Sequence, residues 1–194
     1  MQENNTENKF GLTRRLSLEV AIAGKEYCEE IVKLLKDNHE GLQVSMYDIV
    51  KGEFPVVRND VYIITDRVCE GESLNTDVCI NALSNLMDNI GQDDIAIINV
   101  DDEDLIRHLD GLKCNIVTYG YNSKSSVTIS GMDEDIFSGC SRYICSLQRN
   151  INTVDMKNIE PCEVKLSVSD NCKPHTIMAY AAFLLCSGNF ESCN

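Results

Sequence analysis

The sequence has no run that approaches the roughly 20 apolar residues of a membrane-spanning helix. Its opening stretch, MQENNTENKFGLTRR, is polar and has none of the apolar centre of a secretory leader. The expectation from both shortages is a cytoplasmic protein with no membrane association. Basic residues are also scarce: 17 Lys and Arg stand against 31 Asp and Glu, a formal net charge of -14. A field of that sign repels phosphodiester backbones and anionic lipid, so nucleic acid is not an expected partner. There is no CxxC pair, no internal repeat, and no low-complexity segment beyond the amino-terminal tail.

Cysteine, by contrast, is abundant, with 10 in the chain. The closest two, Cys140 and Cys145, are not spaced as zinc ligands usually are, and His39, His108 and His175 are far from one another. No metal site is expected. The cysteines lie in what read as buried strands and helices, where a thiol serves as a small apolar packing group in a reducing compartment. No motif pairs a nucleophile with a base. The candidates for an unrecognised chemistry are Cys69 with Asp66, Glu70 and Glu72.

A chain of 194 residues, 43% of them hydrophobic, is long enough for one sizeable core. Residues 1–16 read as a flexible polar tail and 17–194 as a single α/β domain. LSLEVAIA is an uncharged β-branched run after Glu19, as in a buried central strand. From Lys25 to about Asn38, the apolar Cys28, Ile31, Val32, Leu34 and Leu35 recur at helical spacing. LQVSMYDIV, NDVYIITD, DDIAIINV and CNIVTYGY read as further strands. Between them lie a helix with Val78, Leu83, Leu86, Met87 and Ile90 on one face, capped by Ser73 or Asn75, and an acidic helix start after Val100. Strands and helices alternating in this way predict a mainly parallel sheet flanked by helices. The rhythm then changes: SSVTISGMDEDIFSGCSRYICSLQ and CEVKLSVSD alternate apolar and polar residues, which predicts a small antiparallel β patch. A last helix runs from Pro174 to a stop at Gly188.

Three segments in this order resemble the central, ATP-binding domain of the Mur ligases, the amide-forming ligases of peptidoglycan precursor synthesis. AIINVDDEDLIRHL is similar to the family's strand ending in Asn-x-Asp-Asp. NIVTYGYNSKSSVTIS is similar to its Thr-Tyr-Gly strand. VKLSVSDNCKPHTIMAYAAFLLCSG is similar to its closing strand, His-Asn turn and Ala-Ala helix. The resemblance covers roughly residues 18 to 188 and implies a fold like that of the P-loop NTPases.

It also implies a site, and here the residues depart from the pattern. The family's first strand enters Gly-Thr-x-Gly-Lys-Thr, where backbone N–H groups cradle phosphates, Lys meets the terminal phosphates and Thr holds Mg²⁺. At that point this sequence reads Ala23-Gly24-Lys25-Glu26-Tyr27-Cys28. No hydroxyl follows Lys25, and Glu26 and Glu29 place negative charge where a phosphate would go. The family's Asn becomes Asp66, its Asp-His pair is not recognisable in RVCEGES, which removes a metal-site ligand, and its helix Asn falls at Met178. Asn99 stands where the family contacts adenine, followed by Asp101 and Asp102, although Asn and Asp at a strand end opening a helix are also ordinary caps.

ATP and Mg²⁺ binding are therefore expected to be lost, and the flanking substrate domains of a ligase find no room in this length. The expected function is that of a non-catalytic Mur-ligase-like interaction or regulatory module, with a protein partner or a second copy of itself as the binding target. The acidic runs DDEDL and MDEDIF are candidate contacts for a basic partner. The alternative is a small-molecule or nucleotide-binding protein, using the crevice at the strand carboxyl ends lined by Gly24, Lys25, Asp66, Asn99 and Asp101. A ligase, or an enzyme of new chemistry, is the least expected outcome.

Overall fold

The run Glu19–Gly24 forms the first strand, β1, every residue of it buried after Glu19. A strand buried on both faces needs helices above and below it, and the chain supplies them in alternation. The structure is a computed structural model, and it describes residues 18–24, 27–66, 76–109, 111–135, 140–168 and 172–189. The amino-terminal tail, Lys25, Glu26, Cys69, Glu70, Glu72, Ser73 and Asn75 lie outside these residues.

After β1 come α1 (Cys28–Asn38), β2 (Gln43–Asp48), β3 (Val61–Ile64), α2 (Thr76–Asn89), β4 (Ile95–Asn99), α3 (Glu103–His108) and β5 (Asn115–Tyr119). The antiparallel section follows as β6 (Val127–Asp135), β7 (Cys140–Leu147), β8 (Ile151–Asn152), β9 (Asn158–Ile159) and β10 (Glu163–Val168), and α4 (Pro174–Ser187) closes the fold. The main sheet has eight strands in the order β10-β7-β6-β5-β4-β3-β1-β2, while β8 and β9 pair separately. From β2 to β6 every pairing is parallel; β7 and β10 then continue the same sheet antiparallel. The mixed α/β sheet with an antiparallel part toward the carboxyl end agrees with the sequence pattern. The two-residue strands β8 and β9 are too short to leave any alternation in the sequence.

Two cores lie on opposite faces of the sheet. On one, Val20, Ile22, Val61, Ile63, Ile95 and Ile97 pack against α1 and α4. On the other, Ala21, Ala23, Tyr62, Ile64, Ala96 and Ile98 pack against α2 and α3. This alternation along each strand is the period-two rule acting on a sheet covered on both sides. Helix α4 is buried from Thr176 to Cys186 without a solvent face, because it lies between α1 and the strands β4 to β7. Alanines at 179, 181 and 182 allow that close approach, and Met178, at the family's asparagine position, is fully buried among them.

Helix α1 begins later than its periodicity suggested. Tyr27, the residue before it, has φ 62° and is left-handed, so the right-handed helix cannot extend back through it. At the far end of the sheet, away from the strand carboxyl ends, Arg58 grips the buried Asp94 with both Nε and Nη2 at 2.9–3.1 Å, and Asp94 also accepts the Gly91 N–H at 2.7 Å. That end is sewn shut. The other end carries the candidate site.

Candidate functional site: the crevice at the strand carboxyl ends

Parallel strands all end on one side, and there the sequence ends β1 in Gly24, β3 in Thr65-Asp66, β4 in Asn99 and β5 in Tyr119-Gly120. The topology thus brings together Gly24, Asp66, Asn99 and Asp101. Lys25, the remaining candidate, lies outside the described residues.

Gly24 has φ 150° and lies so close to β3 that a Cβ there would collide with Thr65 Oγ1 and stand 2.8 Å from Asp66 Oδ1. The Thr65 hydroxyl donates to Asp66 Oδ1 and contacts Cys28 Sγ at 3.5 Å. Asp66 is therefore engaged with its neighbour beneath the turn, and the side of β3 fills the space against the Gly24 backbone. Burial is the main cause that pushes the Cys28 thiol up to about 11, with the Thr65 hydrogen bond opposing and Asp66 adding to it.

Asn99 is buried, and its Oδ1 accepts the Asp101 N–H at 3.0 Å. Asp102 caps α3 by accepting the Leu105 N–H at 2.9 Å, which is the ordinary capping role expected of this acidic run. Asp101 is turned to the loop after β5: its carboxylate accepts the N–H groups of Tyr121 and Asn122, both at 2.8 Å. Gly120, φ 144°, makes that wrap possible, since a Cβ would lie 2.7 Å from the Asp101 carboxylate. The next residues of the run are partly neutralised, with Arg107 3.2 Å from Asp104 and 3.6 Å from Glu103.

The sequence reading did not foresee the part played by aromatic residues. His175, in the first turn of α4, reaches Asp101 Oδ2 with Nε2 at 2.9 Å. Its ring stacks on Tyr27, centroids 5.5 Å apart and 13° between planes, and meets Tyr121 edge-on at 5.5 Å. Lys173 Nζ lies over the other ring of the stack, 4.6 Å from the Tyr27 centroid. Glu30 of α1 accepts the Lys173 N–H at 3.1 Å and the Thr176 hydroxyl at 2.7 Å, tying the two helix starts together. Nothing in the local sequence around Tyr27 announces this. The signals available were the unusual aromatic at a helix start and a histidine in the closing turn.

At the end of β5, Tyr119 is wholly buried, with a hydroxyl that lacks a partner; Ser125 Oγ is the other such oxygen among the described residues. Burial pushes the Tyr119 hydroxyl well up from its usual range, and the charges that add to the effect are those of the crevice: Asp66, Cys28, Tyr27 and Asp101. Among the described residues no three His, Cys, Asp or Glu side chains converge as a metal-ligand set, and no helix is long and apolar enough to cross a membrane. Among the described residues, Cys28, Cys114, Cys145, Cys162 and Cys186 are free thiols.

No protein-family model and no curated protein matches the sequence. Solved structures do. A crystal structure of MurF from Acinetobacter baumannii superposes with TM-score 0.60 at 14% identity, covering 90% of this chain and 44% of that one. MurF ligase from Thermotoga maritima in complex with ADP gives 0.54 at 12% identity over 89% of this chain and 45% of its own. A complex of FPGS with AMPPCP gives 0.51 at 8% identity, covering 89% and 60%. The chain thus spans less than half the length of the Mur ligases it matches, and what it shares with them at this identity is the α/β fold of the Mur ligase central domain.

Proposed function

We propose that this protein is a non-catalytic Mur-ligase-like module, an interaction or regulatory domain related to the cytoplasmic ligases of cell-wall precursor synthesis, in which the nucleotide crevice has been filled by the chain's own side chains. The observation that carries this reading is the connection from β1 to α1. Only residues 25–27 separate Gly24 from Cys28, and the last of them, Tyr27, is held in a stack with His175 and Lys173 over the helix start. A phosphate loop needs a longer run of backbone N–H groups curled around the anion, followed by a hydroxyl for the metal. The residues present do not fit ATP and Mg²⁺: Glu29 and Glu30 occupy the first turn of α1, and Asp66 and Asp101 are held by their neighbours. A ligase accelerates its reaction mainly by clamping ATP, metal and acceptors in line, so a chain without the clamp forfeits most of the rate.

A second reading rests on a different observation. A fully buried hydroxyl without a partner, as on Tyr119, is costly in a native fold, and a small polar ligand entering the crevice beside Asp66 and Asp101 would satisfy it.

Thermal unfolding against ATP, ADP, AMP and adenosine, with and without Mg²⁺, separates the two, because a ligand of the folded state raises the melting temperature by mass action. The expected result is no Mg²⁺-dependent shift and no ATP hydrolysis. A shift with ATP that requires Mg²⁺ would overturn the proposal. A shift with adenosine or AMP alone would favour the small-ligand reading.

A further inference from the structure

The two outer strands of the main sheet differ in how they meet solvent. At one edge, β10 reads Glu-Val-Lys-Leu-Ser-Val, with Glu163 and Lys165 exposed. Charges of this kind are how natural edges discourage pairing with a further strand. At the other edge, β2 reads Gln-Val-Ser-Met-Tyr-Asp and has no charge before its last residue, no proline and no bulge. Met46 is 49% exposed there.

The backbone of β2 shows what this edge offers. Gln43 donates its N–H to the Leu18 carbonyl at 3.2 Å, so Gln43, Ser45 and Tyr47 turn their backbone groups toward β1. Val44, Met46 and Asp48 turn theirs outward. Asp48 is closed off within the chain: its N–H donates to Glu53 Oε2 at 3.1 Å and its carbonyl accepts the Glu53 N–H at 3.0 Å. Among the described residues, the outward groups left on the strand are the N–H and C=O of Val44 and Met46.

We propose that this edge is a self-association surface, in which β2 pairs antiparallel with β2 of a second copy about a two-fold axis at Ser45, joining two sheets into one. The register follows from the pattern of open groups. Centred on Ser45, Val44 of each copy lies opposite Met46 of the other as a hydrogen-bonded pair that exchanges both bonds, and all four outward donors and acceptors of each strand are used. Centred on Met46, Val44 would meet Asp48, whose groups Glu53 already holds. The side chains agree with the first register. Val44 packs on the α1 core, so the partner's Met46 extends that apolar surface. Gln43 faces Tyr47, Ser45 faces itself, and no two like charges are opposed. A two-fold interface must be self-complementary, and this strand is. One strand pair with its flanking side chains is a small interface, so association in the micromolar range is expected.

Sedimentation of the purified chain over a concentration series tests this. Three results are expected together. The wild type forms a dimer, and Ser45→Lys, which sets two ammonium groups face to face across the axis, is a monomer with an unchanged melting curve. An equimolar mixture of Ser45→Lys and Ser45→Glu chains then returns to a dimer. A second variant, Met46→Pro, removes one outward N–H without touching a bond to β1, and is also expected to be monomeric. A wild type that stays monomeric throughout, a dimer indifferent to Ser45→Lys and Met46→Pro, or charge-reversed chains that fail to pair would each overturn the proposal.

Discussion

Two crossovers of this fold begin at the same crevice and solve the same problem differently. After β4, the chain enters α3 through Asn99, Asp101 and Asp102, and each side chain accepts a nearby backbone N–H. After β1, the chain enters α1 through Tyr27, which is left-handed and gives the helix no side-chain cap. The open N–H groups of a helix start attract either a capping oxygen or an anion. The α3 entry shows the need met internally. The α1 entry shows an aromatic, cationic and imidazole stack laid across the place instead. The difference teaches that two helix starts at one crevice can be closed by different groups, one by capping oxygens and the other by a ring stack.

The largest way to break the α1 entry is to prise it from β3. Gly24→Ala sets a Cβ into Thr65 at a backbone angle that favours glycine, and is expected to destabilise the fold by about 3 kcal/mol, read by urea unfolding. The α3 entry has its own keystone in Asp101. Asp101→Ala leaves the Tyr121 and Asn122 N–H groups and His175 without their acceptor, for a cost of about 2 kcal/mol. If the stack on Tyr27 depends on that acceptor, the same variant exposes the crevice to proteolysis near Tyr121.

Cys28 sharpens the comparison through pH. Its thiol is held neutral to about 11 in the folded state, while in the unfolded chain it ionises near its ordinary value of 9.0. Above pH 9 the unfolded chain therefore binds fewer protons than the native one, and stability falls as pH rises, by up to about 1.4 kcal/mol per pH unit for this thiol until the folded group itself ionises. Burial pushes Cys145 up to about 12 and adds to the slope. Unfolding curves between pH 8 and about 10.5 measure it, and Cys28→Ala is expected to remove its share. An unchanged slope would show that Cys28 is not held neutral at the crevice.

Much of this was legible in the sequence for a physical reason. Strands buried on both faces must be uncharged runs, so β1, β3 and β4 declared themselves, and the alternation in β7 and β10 reported the covered and open faces. The four described candidates do converge, because strand ends in a parallel sheet share one side. Their partners were not legible. Tyr27 meets His175 across some 150 positions, and Asp101 meets the loop after β5 only because Gly120 permits the wrap. The late start of α1 was hidden for the same reason: residues at helical spacing do not reveal that a neighbour has φ 62°.

The smallest effects set the two helix starts side by side. Asp102→Ala removes a cap whose oxygen holds the Leu105 N–H, and such losses cost about 1 kcal/mol. Tyr27→Gly removes a stack worth about 0.5–1 kcal/mol at a partly exposed site, but relieves a left-handed tyrosine of about 1–2 kcal/mol of backbone strain. The expected outcome is a clear loss of stability for the first variant and little change for the second, measured by chemical denaturation under one set of conditions. On the proposed function, the same Tyr27→Gly protein, tested for ATP binding with Mg²⁺, is expected to remain silent, because only residues 25–27 link Gly24 to Cys28.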